Sequence, residues 1–273
     1  MKKVAFQGEK GAFSEEAALK FFKSEDIETI PCYSFEEVVE LVQSGEADFG
    51  ILPIENSVAG SVTQVYDLLF MTPLHVYGEV TLRVSHALLG VDSASLSTVK
   101  YVISHPQALA QCQNYIRRKN LQAIPEFDTA GSARKIKEMN NPEYACIASK
   151  RAAGIYGLKV LDESIEDFPW NFTRFFILSR EEPLKSDYNK TSIVFSTRHK
   201  PGALLECLEA FAKRGINLTK IESRPDKKSP WQYVFYLDFE GHVTDKNVED
   251  ALIELLKLAT FVKVIGSYPG EKR

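Results

Sequence analysis

The chain has 273 residues, of which 44% are hydrophobic and 26% charged, and its formal net charge is −4. That length favours two or three domains over a single core, and the composition is that of a folded globular protein rather than a disordered one. The slight acidity argues against a nucleic-acid partner, and the chain has neither a signal-type N-terminus nor an apolar run of about 18 residues, so a soluble cytoplasmic protein without a membrane partner is expected.

In chain order, Val4-Ala5-Phe6 reads as a strand, and Ser14 is placed to cap an amphipathic helix over residues 15–22. Ser34 and Glu37 have capping-box spacing ahead of Val38, Val39 and Val42. Residues 48–54 read as a strand, followed by a helix carrying Val62, Val65 and Leu69. Residues 101–104 form the next strand, and Pro106 suits the first turn of a helix running to about Lys119. Two further strand-to-helix units follow, at 123–127 with 129–139 and at 144–148 with a helix from Ser149. Strands alternating with helices call for a largely parallel α/β sheet with both faces covered.

The stretch at 181–187 is charged and contains Pro183, as a linker would. Beyond it come a strand at 191–196, a helix at 201–214, strands at 216–221 and 233–239, a helix capped by Asp245 and a strand at 261–265. This βαββαβ order is ferredoxin-like, and the second-last strand sets Tyr233, Phe235, Leu237 and Phe239 on one face.

The four cysteines (Cys32, Cys112, Cys146, Cys207) and five histidines (His75, His86, His105, His199, His242) are scattered without ligand spacing, so no metal is expected. Gly8 and Gly11 do not make a dinucleotide fingerprint, and P-loop and nucleophile-elbow motifs are absent, so no organic cofactor is expected. Four strand-to-helix junctions are rich in small polar residues: Gly8 to Ser14, Glu55 to Ser61, Ser104 to Gln107 and Asp128 to Ser132. Ligands of open α/β sheets bind at such junctions, where free backbone N–H groups favour anions, although Gly, Ser and Asn also cap helices for purely structural reasons. His105 is either a general base or a helix-start residue that orients its neighbours, and no Cys or Ser partner favours the first. Asn171-Phe172-Thr173-Arg174 is a polar cluster at the entry to an apolar strand, which strand formation alone does not explain.

These residues resemble a known family. Asn171-Phe172-Thr173-Arg174-Phe175 is similar to the threonine-arginine-phenylalanine motif of prephenate dehydratases. Glu55-Asn56-Ser57 with Gly60, and Ser104-His105-Pro106-Gln107 through Gln111-Cys112, resemble two further motifs of that family. Gly202-Ala203-Leu204 with Leu208, and Glu222-Ser223-Arg224-Pro225, resemble the phenylalanine-binding elements of its ACT regulatory domain. The first glycine loop departs from the family pattern, with Glu9 and Ala12 where proline and a hydroxyl residue are usual.

The resemblance implies a two-lobed catalytic region over 1–182, similar to type II periplasmic binding proteins, with lobe one at about 1–78 and 156–182 and lobe two at about 79–155. A ferredoxin-like ACT domain would follow over 190–273. It implies decarboxylating dehydration of prephenate to phenylpyruvate, with Thr173 and Glu55 catalytic and with Asn56, Ser57, Ser104, Gln111, Asn171, Phe172 and Arg174 binding substrate. Thr173 would donate to the leaving hydroxyl and Glu55 relay a proton, while Arg174 either pairs with a substrate carboxylate or makes a structural ion pair. The effector would be L-phenylalanine, held by Pro201, Gly202, Ala203, Leu204, Asn217, Leu218, Glu222, Ser223, Arg224 and Pro225 in a homodimer or homotetramer. Two other readings fit the same cleft: arogenate dehydration, and a non-catalytic sensor of small carboxylates.

Overall fold

The computed structural model describes residues 1–23, 25–226 and 233–271. Its first stretch comprises β1 (Lys2–Gln7), α1 (Phe13–Phe21), β2 (Ile27–Cys32), α2 (Phe35–Ser44), β3 (Phe49–Asn56), β4 (Gly60–Ser61), α3 (Thr63–Met71) and β5 (His75–Arg83). Next come β6 (Ala87–Gly90), β7 (Tyr101–Ser104), α4 (Pro106–Gln111), α5 (Gln113–Arg118), β8 (Gln122–Pro125), α6 (Thr129–Met139), β9 (Tyr144–Ala148), α7 (Lys150–Tyr156), β10 (Lys159–Glu163) and β11 (Phe172–Ser179). The rest is β12 (Asn189–Thr197), α8 (Ala203–Ala212), β13 (Leu218–Pro225), β14 (Tyr233–Glu240), α9 (Lys246–Leu258) and β15 (Ala259–Pro269).

One sheet has the order β2-β1-β3-β11-β5 with β4 paired to β3, a second β10-β6-β9-β7-β8, and a third β13-β14-β12-β15. The chain divides into two compact units, Met1–Val62 with Val80–Phe175, and Thr63–Glu79 with Phe176–Arg273. The α/β class and the ferredoxin-like C-terminal module are both present.

Several local expectations are corrected. Ser14 is not a cap: α1 starts at Phe13 after Ala12, and Gly11 at φ 92° makes the turn that delivers it. Ser34 caps α2 by accepting from Glu37 N, but the Glu37 carboxylate reaches back one residue further, to Tyr33 N at 2.5 Å. The helix expected over 106–119 is broken at Cys112 into α4 and α5. The Asp245 carboxylate does not cap α9 and instead accepts from His242 N at 2.7 Å.

In the first unit, the glycine loop before α1 is fastened on all sides. The buried Glu15 carboxylate accepts from Gly11 N (2.7 Å) and Thr29 Oγ1 (2.8 Å), and Ser149 Oγ donates to Gly11 O (2.6 Å). A Cβ on Gly11 would come within 3.0 Å of Ala152 Cα, so α7 can approach only a glycine there. Glu9, the departure noted in the sequence, is a two-point acceptor for Arg134 at 2.9 and 2.7 Å.

In the second unit, α8 and α9 cover one face of the third sheet, burying Phe211, Cys207, Val248 and Leu255 against Ile193, Leu237 and Phe239. The other face is also buried, at Val234, Tyr236, Asp238 and Tyr268. Its cover includes α3, whose Tyr66 O accepts from Tyr236 Oη at 2.8 Å. Lys263 Nζ on β15 donates to Leu69 O (3.0 Å), Phe70 O (2.9 Å) and Thr72 O (2.6 Å), satisfying carbonyls that the end of α3 leaves open. Arg224 stands 3.9 Å from Asp67. On the same unit, Lys190 and Glu79 make a buried ion pair at 3.0 Å. Two covered faces explain why both alternating residue sets of β14 are buried, where the pattern of Tyr233, Phe235, Leu237 and Phe239 had marked one.

Candidate active site

The site lies in the first unit, where the end of β3 meets the start of β11. Asn56 Oδ1 accepts from Val58 N (3.0 Å) and Ala59 N (2.8 Å), closing the turn into β4, which Gly60 completes at φ 82°. That fixes the amide, because the oxygen faces two backbone donors and the nitrogen must face the other way. Asn56 Nδ2 then meets three acceptors: Asn171 Oδ1 (2.7 Å), Phe172 O (3.2 Å) and Thr173 Oγ1 (2.9 Å). Asn171 Nδ2 in turn donates to Gln111 Oε1 at 3.1 Å, joining the end of α4 to the same network. Ser57 laces the turn to β11: its N–H donates to Phe172 O (2.8 Å), and its hydroxyl donates to Trp170 O (2.7 Å) while accepting from Phe172 N (2.9 Å).

Thr173 is 8% exposed, and its oxygen already takes a hydrogen from Asn56. Among the described residues the Thr173 hydroxyl proton meets no acceptor, so that proton is available to a ligand. Successive strand residues alternate between faces, so Arg174 and Glu55 fall on the side opposite Thr173 and Asn56. There Arg174 Nη1 stands 3.9 Å from Glu55 Oε2, with the arginine side chain 4% exposed. The two side chains form an ion pair on that face, with Glu55 beside a buried guanidinium.

Ser104 is fully buried, and its hydroxyl donates to Ile147 O at 2.6 Å. Phe172 contributes backbone to the network while its side chain is 42% exposed. His105 is the helix-start residue, accepting from Gln107 N through Nδ1 at 3.2 Å, and burial lowers its pKa. Among the described residues no group of three or more His, Cys, Asp or Glu side chains converges as a metal site, and no helix is long and apolar enough to cross a membrane.

The second unit carries a concave pocket of about 330 Å³ at the start of α8, lined by Arg198, His199, Lys200, Gly202, Ala203 and Leu204 among others. Gly202 is the residue before α8 and sits at φ 79° with open space around it, a conformation that other residues adopt at a cost. Pro201 precedes it in the same turn. Asn217, Leu218, Glu222, Ser223, Arg224 and Pro225 do not line this pocket. All but Asn217 belong to β13, an edge strand of the third sheet.

Residues 4–183 match the family model described as prephenate dehydratase. The chain belongs to the prephenate dehydratase family. Residues 191–257 of the dehydratase match the ACT domain model. The dehydratase is 44% identical over 283 residues to "Arogenate dehydratase/prephenate dehydratase 1, chloroplastic" of Arabidopsis thaliana, covering 98% of this chain and 72% of that one. Among solved structures, prephenate dehydratase from Arthrobacter aurescens in complex with L-Phe is 35% identical with a TM-score of 0.90, covering 98% and 90% of the two chains. A second, described as GqqA, a novel type of quorum quenching acylase, is 34% identical with a TM-score of 0.90, covering 99% and 98%.

The amide network includes one residue that sequence reasoning passed over. His86 Nε2 lies 2.8 Å from Gln111 Oε1, which adds a buried imidazole to the amide network. In the sequence it is one lone histidine just before the apolar run Ala87-Leu88-Leu89, indistinguishable from a core residue. Only the approach of Gln111 from α4 gives it a role.

Proposed function

We propose that this enzyme converts prephenate to phenylpyruvate by donating a hydrogen bond from Thr173 to the ring hydroxyl as it leaves. The carboxylate attached to the ring departs as CO₂, its bonding electron pair enters the ring, and the C–O bond breaks. The leaving oxygen takes up one proton and departs as water. Aromatisation drives the reaction, so the protein's task is to place the substrate and to support charge on the departing oxygen. The observation that carries this reading is the hydrogen bond from Asn56 Nδ2 to Thr173 Oγ1. It occupies the oxygen, turns the hydroxyl proton outward and makes that proton a better donor. The same arrangement makes Thr173 a poor nucleophile for the acylase activity named for one structural relative, because it has an amide donor beside it where a nucleophile needs a base. It also separates an enzyme from a plain carboxylate sensor, which needs anchors but no donor at a leaving group.

Incubation of the full chain with prephenate should give phenylpyruvate, read by its enol absorbance, and parallel kinetics with arogenate set the substrate preference. Absence of turnover on both substrates would defeat the proposal. L-phenylalanine fits the pocket before α8 as effector: Arg198 and Lys200 suit its carboxylate, and Tyr233 and Phe235 suit its ring. In a homodimer or homotetramer paired through sheet edges, the residues on β13 would complete that pocket from a second copy, which accounts for the separation of the two groups within one chain. Isothermal titration with phenylalanine, together with the sedimentation of the complex, tests this arrangement.

A further inference from the structure

The tautomer of His86 can be derived from the backbone. Val58 N and Ala59 N fix Asn56 Oδ1, so Asn56 Nδ2 faces Asn171 Oδ1. Asn171 Nδ2 therefore faces Gln111, and the Gln111 atom it meets must be the oxygen. An amide oxygen only accepts, so the His86 nitrogen at 2.8 Å from it carries a hydrogen. The imidazole thus has Nε2–H, and in the neutral ring Nδ1 is a bare acceptor. That atom is buried without a hydrogen-bond partner among the described residues, and His86 as a whole is 2% exposed. Protonating Nδ1 would bury a charged N–H with nothing to receive it, and burial indeed holds the pKa below the ordinary histidine value. Phe13 meets the ring edge-on at 5.4 Å, and the backbone is held separately, the N–H of His86 donating to Glu166 Oε2 at 2.9 Å.

Two donors, from Asn171 and His86, therefore converge on Gln111 Oε1, and the Gln111 amide NH₂ is forced to the opposite side. We propose that His86 is a positioning residue for the dehydration, a neutral Nε2–H imidazole that locks the Gln111 amide so that its NH₂ meets a carboxylate of the oxo-acid substrate. This rests on the reading of the cleft as a dehydratase site. Without His86 the Gln111 amide loses one of the two donors that set its orientation, and the carboxylate contact is lost for part of the population. Thr173 is untouched, so the defect falls on binding more than on the chemical step.

The test combines variants with a spectroscopic readout. His86→Leu should raise KM for prephenate by about 10- to 100-fold with kcat within about fivefold of wild type. His86→Gln restores a donor amide and should recover most of that KM. On the wild-type protein, nitrogen-15 imidazole spectra should show His86 neutral with the hydrogen on Nε2 at pH 6. A hydrogen on Nδ1, or a charged ring at that pH, would overturn the proposal, as would an unchanged KM in His86→Leu. Equal losses of kcat and thermal stability in both variants, with KM constant, would reduce His86 to a packing role and likewise overturn it. If His86→Leu does not fold, His86→Gln and the spectra still decide. Wild-type protein that turns over no prephenate would instead defeat the dehydratase reading, while the spectra would still report the tautomer.

Discussion

Replacing Asn56 by Asp changes one NH₂ into one oxygen and reverses the polarity of three contacts. The side chain is 6% exposed, so water cannot compensate. One carboxylate oxygen would keep the bonds from Val58 N and Ala59 N, preserving the turn. The other would be set 2.7 Å from Asn171 Oδ1 and 3.2 Å from Phe172 O, where two acceptors now repel it. At 2.9 Å, Thr173 is the one neighbour able to respond, by rotating its hydroxyl to donate to the new carboxylate. A charge-assisted hydrogen bond of that kind withdraws the proton from the substrate. Asn56→Asp should therefore lower kcat by about 10²- to 10⁴-fold, as removal of a general-acid donor does. It should also lower stability by about 2–4 kcal/mol, from a buried carboxylate facing carbonyl oxygens. Phenylpyruvate formation and thermal melting measure the two effects separately. Because the activity loss runs through Thr173, adding Thr173→Ala should cost no more than about a further threefold. Retention of kcat within tenfold of wild type, or a double variant whose losses multiply, would refute the reasoning.

Thr173→Ala alone should lower kcat by about 10²- to 10⁴-fold with little change in KM, measured by the same enol absorbance. Lys263→Met should destabilise the protein by about 2–3 kcal/mol in thermal melts, since three carbonyls lose a cationic donor while the burial that lowers the Lys263 pKa is relieved. His86, His105 and His242 all have pKa values lowered, each by burial first, from the ordinary 6.5. Each binds its proton less readily folded than unfolded, so stability should fall as pH drops through 6.5 toward the folded values, and His86→Gln should flatten that fall in melts at a series of pH values. All four cysteines are buried, with Cys32 pushed up to about 11 by burial, so an aromatic disulfide reagent should modify none of them until the protein is unfolded.

The α/β class, the order of most elements and the Asn171 to Arg174 cluster were legible because they are local patterns: periodicity, helix-start chemistry and a polar run without a structural reason. What those patterns withhold is direction. Thr173 and Arg174 are neighbours in sequence, yet strand alternation sends one toward Asn56 and the other toward Glu55. Ser104 and Ser57 are both serines at the end of a strand or in the turn beyond it, and only the fold shows that one hydroxyl turns to Ile147 O and the other ties a turn to β11. His86 was invisible because its partner Gln111 is 25 residues away and arrives through a helix. The burial of both faces of β14 was missed because the covering helix, α3, lies 170 residues earlier along the chain at the Tyr66 to Tyr236 contact.

That helix bears on how the protein can be taken apart. By sequence, the regulatory domain begins after the linker at 181–187, and residues 63–79 belong to the catalytic region. By packing, those residues belong with the C-terminal sheet. Lys263 caps the end of α3, Tyr236 bonds to its backbone, and Lys190 buries its charge against Glu79 on β5, the last residue of the same segment. Cutting at the linker would leave α3 without its cap and Glu79 without its cation. Transplanting the C-terminal domain of one relative onto another would pair each of these residues with a stranger. A chimera that keeps its fold has to move residues 63–79 together with the C-terminal domain, so the unit of exchange in this protein is discontinuous in the chain.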